Sequence, residues 1–518
     1  MFARLRRFLT LHPLVRDALL WAIPAMIFGA VLRIVLISYL PYAWWGADSR
    51  SYYSFAHKLI TEGYISLDEK RRFLYPILMV PVSLLPGSPL RWLAVLQHAL
   101  GVASLVPLAY IVRKTLVHWR LWIVPVTVVF AGLPVIVWYE HELLGENLFF
   151  ATLLWTFAGW CAWAGEERLA RSRRLFWCFF TPFALFILTK PSGRFVWPGV
   201  LVGLVLIAAW RRLDWRRVAA LGALMVVTLF VGSKKQGAWL LYVATFPLTQ
   251  LDTPLHADYK AQIRDLVEPL RDHLDVYYLH DDLPFSFLES PRDYSDRPLW
   301  AALSGDEAVR RKLYMDLAIE GVKARPFAAL QLAVERLVGS ANMSTFGLDR
   351  FSGSYSRRRM EHSYAEAQKV EDSPLRMAFG LPKRGPLPPY AEFLDRLDPE
   401  PDAWRAILLQ SYFERLARAL KFYTMPEVPR SERRVSAARP TFLGCWLGVG
   451  VICSLLPRYR RTLGVWMLIG ASYLFGVFLV SQLNARYFGP AWPVLIVLLA
   501  VPGDVLVQMI RGARPPTP

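Results

Sequence analysis

Cysteine is scarce in this sequence. The 518 residues include only four cysteines, and each lies in or beside an apolar segment: Cys161, Cys178, Cys445 and Cys453. Their positions show none of the close, paired spacings by which cysteines hold a zinc ion. The sequence therefore predicts neither a disulfide framework nor a zinc site.

Motifs that bind nucleotides are also missing. The sequence has no glycine-rich loop of the P-loop or dinucleotide-binding type, so we predict no nucleotide cofactor. His57, His98 and His141 have no ligand spacing, and we predict no metal site built by the protein. A divalent ion shared between an acidic side chain and a bound phosphate stays open at this stage.

Acidic residues are outnumbered by basic ones, 41 against 60, which gives a formal net charge of +19. In a soluble protein such an excess would suggest nucleic acid as a partner. Here the arginines mostly form short clusters between apolar runs, such as those within 211–217 and 458–461. This arrangement is typical of cytoplasmic loops of membrane proteins. We therefore expect membrane lipids, and no nucleic acid, as partners.

Long apolar runs indicate the fold class. Hydrophobic residues make up 55% of the chain, with a mean hydropathy of +0.30, and runs of about 17 to 22 residues can cross a bilayer. With about ten transmembrane helices and a cytoplasmic N-terminus, every basic cluster between spans lies on one side. We predict an α-helical polytopic membrane protein, whose basic segment MFARLRRFLTLHPLVR is retained because it lacks a small-residue cleavage pattern.

Composition divides the chain into three parts. Residues 1–233 form a predicted N-terminal transmembrane module that contains the first outer loop, 41–90. Residues 234–439 are charged, proline-rich and free of any spanning run, so we predict a mainly helical extracytoplasmic domain. Residues 440–518 are apolar again and contain the predicted C-terminal transmembrane helices, at 441–456, 462–483 and 492–510. Helices expected in the middle part from apolar spacing are 306–319, 327–338 and 404–422.

The first outer loop carries an acidic side chain among cations and tyrosines. Asp48 follows an aromatic pair, and residues 50–62 are amphipathic enough for a helix lying in the membrane interface. This combination suits activation of an acceptor beside a lipid-linked phosphate. The candidate substrate-binding residues of the loop are Arg50, Tyr53, Arg71, Arg72 and Tyr75. As alternatives, Asp48 could cap a helix starting at Ser49, and the paired arginines could meet lipid headgroups.

Further charged residues fall on the predicted outer face. Lys190 and Arg194 flank a proline break between two short apolar spans, where a charge either lines a cavity or extends to the interface. Arg33 lies within the first apolar span, so we expect it to pair inside the bundle. The other substrate-binding candidates are Glu140, Glu142, Glu146, Arg486 and Tyr487. The three glutamates could instead be solvated interfacial charges, and the last two residues an interfacial anchor.

Taken in chain order, these segments resemble a known family. ADSRSYY in the first outer loop, RRFLYPIL at its end, ELLGENLFF at a helix start, LTKPSG at a break and NARYFGPAWP before the last span together resemble the GT-C glycosyltransferases. Within that superfamily they look closest to the protein O-mannosyltransferases and aminoarabinose (lipid A) transferases. The resemblance covers the membrane spans and their outer loops, whereas residues 251–438 carry little that matches.

The resemblance implies a GT-C-like bundle with interfacial helices in the first outer loop and a polyprenyl-phosphate-linked sugar as donor. The acceptor would be a lipid, a glycan or a protein. Asp48 would be the general base, although many members have Asp-Glu where this chain has Asp48-Ser49. Arg71 or Arg72 would contact the lipid phosphate. The implied location is the bacterial cytoplasmic (inner) membrane, with the active site facing the periplasm or cell exterior.

The implied mechanism is a single displacement with inversion. An acceptor hydroxyl, deprotonated by Asp48, attacks the anomeric carbon, and preorganised cations stabilise the leaving lipid phosphate. A carboxylate with an ordinary pKa of about 4 is a weak base, so burial or a neighbouring acid would raise its basicity. Glu140, Glu142 or Glu146 could be that neighbour.

Two other classes of protein fit part of the pattern. A transporter or flippase for lipid-linked glycans would also have broken helices and intramembrane charges, but no internal repeat is evident. A non-catalytic envelope protein that binds glycan would leave the ordered polar residues of the outer loops unexplained. A membrane acyltransferase would need a histidine-centred motif that the sequence does not show.

Overall fold

The computed structural model is mostly helical. It describes residues 13–45, 49–63, 72–164, 166, 169–210, 215–230, 241–242, 244–271, 307–341, 361, 364–365, 367–369, 374–378, 380–381, 384–392, 403–424, 437–480 and 488–511.

The N-terminal part contains eleven α-helices among its described residues. In chain order they are α1 (Pro13–Tyr39), α2 (Ser49–Glu62), α3 (Leu74–Ser83), α4 (Pro89–Ala103), α5 (Leu105–Thr115), α6 (Trp119–Gly132), α7 (Pro134–His141), α8 (Glu146–Ala164), α9 (Leu169–Thr189), α10 (Trp197–Trp210) and α11 (Trp215–Phe230). A 3-10 helix, Pro191–Val196, joins α9 to α10.

The remaining described elements are also mainly helical. They are a 3-10 helix (Phe246–Leu248), α12 (Ala257–Arg271), α13 (Glu307–Ala324), α14 (Pro326–Ala341), α15 (Pro374–Ala378), α16 (Ala403–Ala419), the paired strands β1 (Tyr423–Thr424) and β2 (Arg439–Pro440), α17 (Phe442–Ser454), α18 (Pro457–Tyr459), a π-helical turn (Arg460–Gly464), α19 (Val465–Val480), a 3-10 helix (Gly489–Ala491) and α20 (Trp492–Ile510). The two strands pair antiparallel.

Several helices can cross a membrane, which confirms the predicted polytopic helical membrane protein. Among the described residues, five helices are long and apolar enough to cross a membrane. There is a sixth span if α6 and α7 together form one broken span. The five are Leu14–Tyr39, Pro89–Thr115, Pro191–Ala208, Pro457–Phe478 and Gly489–Ile510. Shorter apolar helices are Leu74–Ser83, Arg174–Thr189 and Phe442–Ser454. The total of about ten spans and the three-part division stay predictions.

The break between α6 and α7 has a local cause. The two helices are bent by 50°, and Leu133 between them is extended, with φ −57° and ψ 119°. A residue that precedes proline is sterically disfavoured in the helical conformation, and here Pro134 follows. The bend directs the last turn of α7, which contains Glu140 and His141, into the bundle, where both side chains are buried.

The surface of α1 shows how the bundle meets lipid. Ile23, Ile27 and Ile34 are 42%, 61% and 66% exposed, whereas the opposite face packs against α5 and α6. An apolar exposed face is stable in a bilayer because hydrocarbon surrounds it. Arg33 lies on the buried side, 2% exposed.

Close helix contact organises the aromatic core. Gly159 on α8 lies so near α9 that a Cβ built there would be 2.4 Å from the Cys178 carbonyl oxygen. This approach lets Trp160 and Trp163 pack against Phe179 with ring centroids 5.3 and 5.5 Å apart. Burial of such large rings supplies much of the packing energy.

Helices predicted from apolar spacing in the middle part are observed close to the expected places. They are α13, α14 and α16, which span 307–324, 326–341 and 403–419. The break predicted at Lys190 to Arg194 is also observed, as the 3-10 helix between α9 and α10. The sequence YEHELLGE, residues 139–146, predicts a short outer loop, and this is wrong at both ends: Tyr139, Glu140 and His141 belong to α7, Glu146 begins α8, and all four are buried.

At the opposite end of the bundle from the candidate site, Asp504 of α20 joins three chain segments. Its carboxylate accepts hydrogen bonds from the backbone N–H groups of Val117 and His118, both at 2.8 Å. It also accepts from the Tyr459 hydroxyl at 2.8 Å and from Gln508 Nε2 at 3.3 Å. Asp504 is fully buried, so these donors offset the cost of desolvating it.

We expect Asp504→Ala to lower stability by about 2 to 4 kcal/mol, because buried or half-buried donors would lose their acceptor. The measurement is unfolding of the purified protein by a denaturing detergent. Gln508→Ala is the matched control, since it removes the 3.3 Å bond to Asp504 and a bond to the Tyr459 hydroxyl but leaves the other donors of Asp504 in place. Equal stability of the two variants would contradict the assigned role of Asp504.

Candidate functional site

The chain on both sides of residues 46–48 is attached to the segment after α7. Trp44 N–H donates to the His141 carbonyl at 2.8 Å, and Leu143 N–H donates to the Trp44 carbonyl at 2.9 Å. On the other side, the Ser49 hydroxyl donates to the Leu143 carbonyl at 2.9 Å. Helix α2 begins at Ser49, as expected for the interfacial helix. Asp48 itself lies outside the described residues.

A buried ion pair lies behind this attachment. Arg33 donates from Nε and Nη2 to the two carboxylate oxygens of Glu140, both at 2.6 Å. Nη1 donates to the carbonyls of Gly29 and Ala131 at 3.1 and 2.9 Å. The pairing expected for Arg33 is confirmed. The alternative of a solvated Glu140 is wrong, because the residue is 0% exposed.

Two histidines extend the ion pair. His98 Nδ1 is 3.0 Å from Glu140 Oε2, and His98 Nε2 is 3.0 Å from His141 Nδ1. One imidazole must donate and the other accept in the second bond. A Cβ built at Gly101 would collide with the Glu140 carboxylate, so glycine here makes room for it. The result is a continuous buried chain of hydrogen bonds from α1 through α4 to α7.

Gln97 on α4 connects this chain to the first outer loop. Its Nε2 donates to the carbonyls of Glu140 and Glu142, each at 3.0 Å. Its Oε1 accepts from the Tyr75 hydroxyl at 2.6 Å, and its carbonyl accepts from Asn147 Nδ2 at 2.6 Å. Tyr75 is fully buried. A side chain with all of its groups paired is strongly fixed, so Gln97 holds three segments in register.

The other two glutamates are buried as well. Glu142 Oε2 accepts from the indole N–H of Trp138 at 2.9 Å. Glu146, at the start of α8, is 1% exposed and forms an ion pair with Lys190 at 2.6 Å. The Lys190 ammonium is also 5.9 Å from the ring centroid of Phe149. The alternative of solvated glutamates is wrong here too, and Lys190 is half of a buried pair and not an extended interfacial cation.

Arg72 lies buried just before α3, near the 3-10 helix that joins α9 to α10. It is 4% exposed, and Nη2 contacts the Thr228 carbonyl of α11 at 3.4 Å. Its Nε and Nη1 are buried and have no hydrogen-bond partner within the described part of the chain. Burial and the positive charge of Arg194 lower the pKa of Arg72 to about 10. The guanidinium is still charged at neutral pH, beside a second cation.

Arg50 and Tyr53 occupy different faces of α2. Arg50 is exposed, whereas Tyr53 is 1% exposed and its ring centroid is 6.1 Å from that of Trp45. Burial raises the pKa of Tyr53 to about 12, so it is a neutral phenol at neutral pH. Tyr53 therefore packs the helix onto the bundle, and its substrate contact stays a prediction.

Three further predicted residues, Arg71, Arg486 and Tyr487, lie outside the described residues. Those brought together are Arg72, Tyr75, Glu140, Glu142, Glu146, Lys190 and Arg194. Sequence reasoning missed Gln97, His98 and Asn147. A signal was present for Gln97 and His98, since adjacent polar residues inside an apolar span rarely face lipid.

Among the described residues, no group of three or more histidine, cysteine, aspartate or glutamate side chains is arranged to hold a metal ion. The chemistry that this part of the site can offer is cationic, through Arg72 and Arg194, since the charge of Lys190 is paired with that of Glu146.

No family model matches the chain, and no curated protein matches it. A solved structure, the crystal structure of ArnT from Cupriavidus metallidurans in the apo state, aligns with it at 14% identity and a TM-score of 0.33. The alignment covers 95% of this chain and 81% of the ArnT chain. At that identity and TM-score the likeness is loose, and no functional conclusion rests on it.

Proposed function

We propose that the chain is an integral-membrane glycosyltransferase of the GT-C kind. It transfers a sugar from a polyprenyl-phosphate donor to an acceptor hydroxyl on the outer face of the membrane, with inversion. Two observations support the proposal: the outer segments resemble those of GT-C glycosyltransferases, and these segments form the polar site. The acceptor is a lipid, a glycan or a protein, and the membrane is the bacterial inner membrane.

The observation that carries the proposal is the buried guanidinium of Arg72. Burying a charged group without partners is costly, and Nε and Nη1 of Arg72 have none in the described part of the chain. Arg194 adds a second positive charge nearby. Arginine presents planar N–H groups that match two oxygens of a phosphate. A bound phosphate monoanion or dianion would satisfy these groups.

Lys190 has a different role from Arg72 and Arg194. Its ammonium is already paired with Glu146 at 2.6 Å, so it adds little net charge but fixes the helix break next to α8. Arg72 and Arg194 thus supply the positive charge that a leaving phosphate requires in the transition state. Arg71 and Arg486 are further candidates for the same task.

The proposed transfer needs no cofactor, because every bond, proton and electron pair is accounted for by the donor, the acceptor and Asp48. The acceptor oxygen forms a bond to the anomeric carbon while the bond from that carbon to the phosphate oxygen breaks. Asp48 takes the acceptor proton, and polyprenyl phosphate leaves with the electron pair. Asp48 directly precedes Ser49, whose hydroxyl contacts Leu143 two residues beyond His141.

Incubation of the purified protein in nanodiscs with polyprenyl-phosphate sugars tests the proposal. Transfer would release polyprenyl phosphate and yield a glycosylated acceptor with inverted anomeric configuration. If a panel of such donors and membrane-extract acceptors gives no release while the intact donor moves across the bilayer, the chain is a transporter of lipid-linked glycan instead.

The phosphate site can be tested without turnover. We expect Arg72→Met to weaken binding of polyprenyl phosphate by about 10- to 100-fold, because charge-assisted hydrogen bonds of roughly 1.5 to 3 kcal/mol are lost. Arg72→Lys should recover only part of the affinity, since lysine lacks the planar fork. Binding is measured by displacement of a fluorescent polyprenyl phosphate.

Arg91→Met is the matched control for that measurement. Arg91 is an exposed arginine near the start of α4, so its loss changes the net charge equally but leaves the buried site intact. Equal binding by the Arg72 and Arg91 variants would contradict the assigned phosphate site.

A further inference from the structure

Helix α14 lies in the part of the chain that was expected to stand outside the membrane. Its sequence, PFAALQLAVERLVGSA, includes a glutamate and an arginine and is too short to span. Nevertheless α14 packs against α19, which belongs to a membrane-spanning segment. Leu337 and Val338 near its end join the apolar core of the bundle.

Arg336, which is partly buried, fixes the end of α14 to the spanning helix. Arg336 Nη1 donates to the Phe478 carbonyl, in the last turns of α19, at 3.1 Å. Its Nη2 donates to the Ala244 carbonyl, just before the 3-10 helix of the middle part. Carbonyls at the end of a helix need such donors. The position of α14 relative to the membrane is therefore set by the end of α19.

The face of α14 away from the protein is exposed and mostly apolar, with Gln331 as an exposed polar residue that donates to Glu335 at its edge. Phe327, Leu330 and Val334 are 85%, 43% and 44% exposed, and their spacing of three and four residues places them on one face. On the opposite face, Leu332 and Ala333 are 3% and 1% exposed. An exposed phenylalanine in such a row is unfavourable in water.

Cations stand beside this apolar row. Lys323 and Arg325 are exposed, and they immediately precede the first residue of α14. An amphipathic helix with cations at its edge and Phe, Leu and Val on one face binds a lipid surface, with the cations at the phosphate headgroups.

We infer that α14 is a membrane-interface helix whose Phe327, Leu330 and Val334 enter the outer leaflet, with Lys323 and Arg325 at anionic lipid phosphates. The occupant of this face is the bilayer around α19, because α14 packs directly against that apolar span and its own apolar row is exposed. Through α14, the middle part of the chain contacts the membrane beside the segment that leads to Arg486.

The test places an environment-sensitive fluorophore at single cysteines, in a variant whose native cysteines are replaced by alanine, reconstituted in nanodiscs. Phe327→Cys reports on the proposed face. Ile452→Cys on α17, 69% exposed, reports on lipid, and Glu268→Cys on α12 reports on water, its side chain being 50% exposed. Lipids that carry a quencher in the acyl chain distinguish the environments.

We expect quenching at position 327 comparable to that at 452 and several-fold greater than that at 268. The double change Lys323→Gln and Arg325→Gln should reduce the quenching at 327 in nanodiscs of anionic phospholipid and leave it unchanged in zwitterionic ones. Quenching at 327 as low as that at 268 would overturn the inference. A label shielded from both water and lipid would also overturn it, because another part of the protein or a second copy would then cover the face.

Discussion

Asp48→Asn is expected to lower the rate of sugar transfer by a factor of about 10² to 10⁴, the usual contribution of a general base. The amide cannot accept the acceptor proton at the moment of attack, yet it matches the carboxylate in size. The rate constant kcat should fall while the KM for the donor changes little, because the cations that hold the lipid phosphate are intact. The measurement is release of polyprenyl phosphate under saturating donor.

The control for this variant is Asp252→Asn in the middle part of the chain. Asp252 has a side chain that is 76% exposed and pairs with Arg264, so its loss removes an exposed carboxylate that is not among the proposed site residues. Unchanged kcat in the Asp48 variant, with correct folding and donor binding, would remove Asp48 from the mechanism. The polar site would then need another base.

The second large effect is expected at the ion pair between Arg33 and Glu140. Removing one partner leaves a buried charge uncompensated, and we expect Arg33→Met to destabilise the protein by about 3 to 5 kcal/mol. Glu140→Met should have a similar cost, since it leaves the guanidinium buried. Unfolding by a denaturing detergent gives both values.

The double variant separates charge pairing from packing. Arg33→Met with Glu140→Met replaces both charges by apolar side chains of similar length, and such replacements are often neutral or stabilising. We expect the double variant to be more stable than either single variant. Arg264→Met, which removes only the exposed ion pairs with Asp252 and Glu268, should leave the unfolding transition unchanged. Additive losses in the double variant would mean that the two side chains do not act as a pair.

The apolar pattern predicted much of the fold correctly. The last span was expected at 492–510 and is observed as α20, Trp492–Ile510, because a run of that length and polarity has few alternatives to a membrane helix. The break at Lys190 was also predictable, since Pro191 follows it. By contrast, the pattern did not reveal that residues 139–141 belong to a helix directed inward, because that depends on the bend before Pro134 and on Arg33 far away in sequence.

The candidate site was predicted in composition but not in arrangement. Chain order predicted which polar residues share one face of the membrane, and six charged residues and Tyr75 lie close together in the structure. Their pairing could not be predicted, because Glu140 and Glu146 each had several cations within reach. Arg33 pairs with Glu140 only because of the packing of α1 and α7. Lys190 pairs with Glu146 only because of the break after α9.

By itself, the sequence determined that this chain is a polytopic helical membrane protein, and it predicted that acidic and basic residues gather in outer loops. Periodicity, length and charge are local properties, so they can be seen without knowledge of the fold. Tertiary structure alone decided which charges neutralise each other and which, like Arg72, are buried with N–H groups that have no partner among the described residues. That outcome depends on contacts between residues as far apart as positions 72 and 228, and no local pattern encodes it.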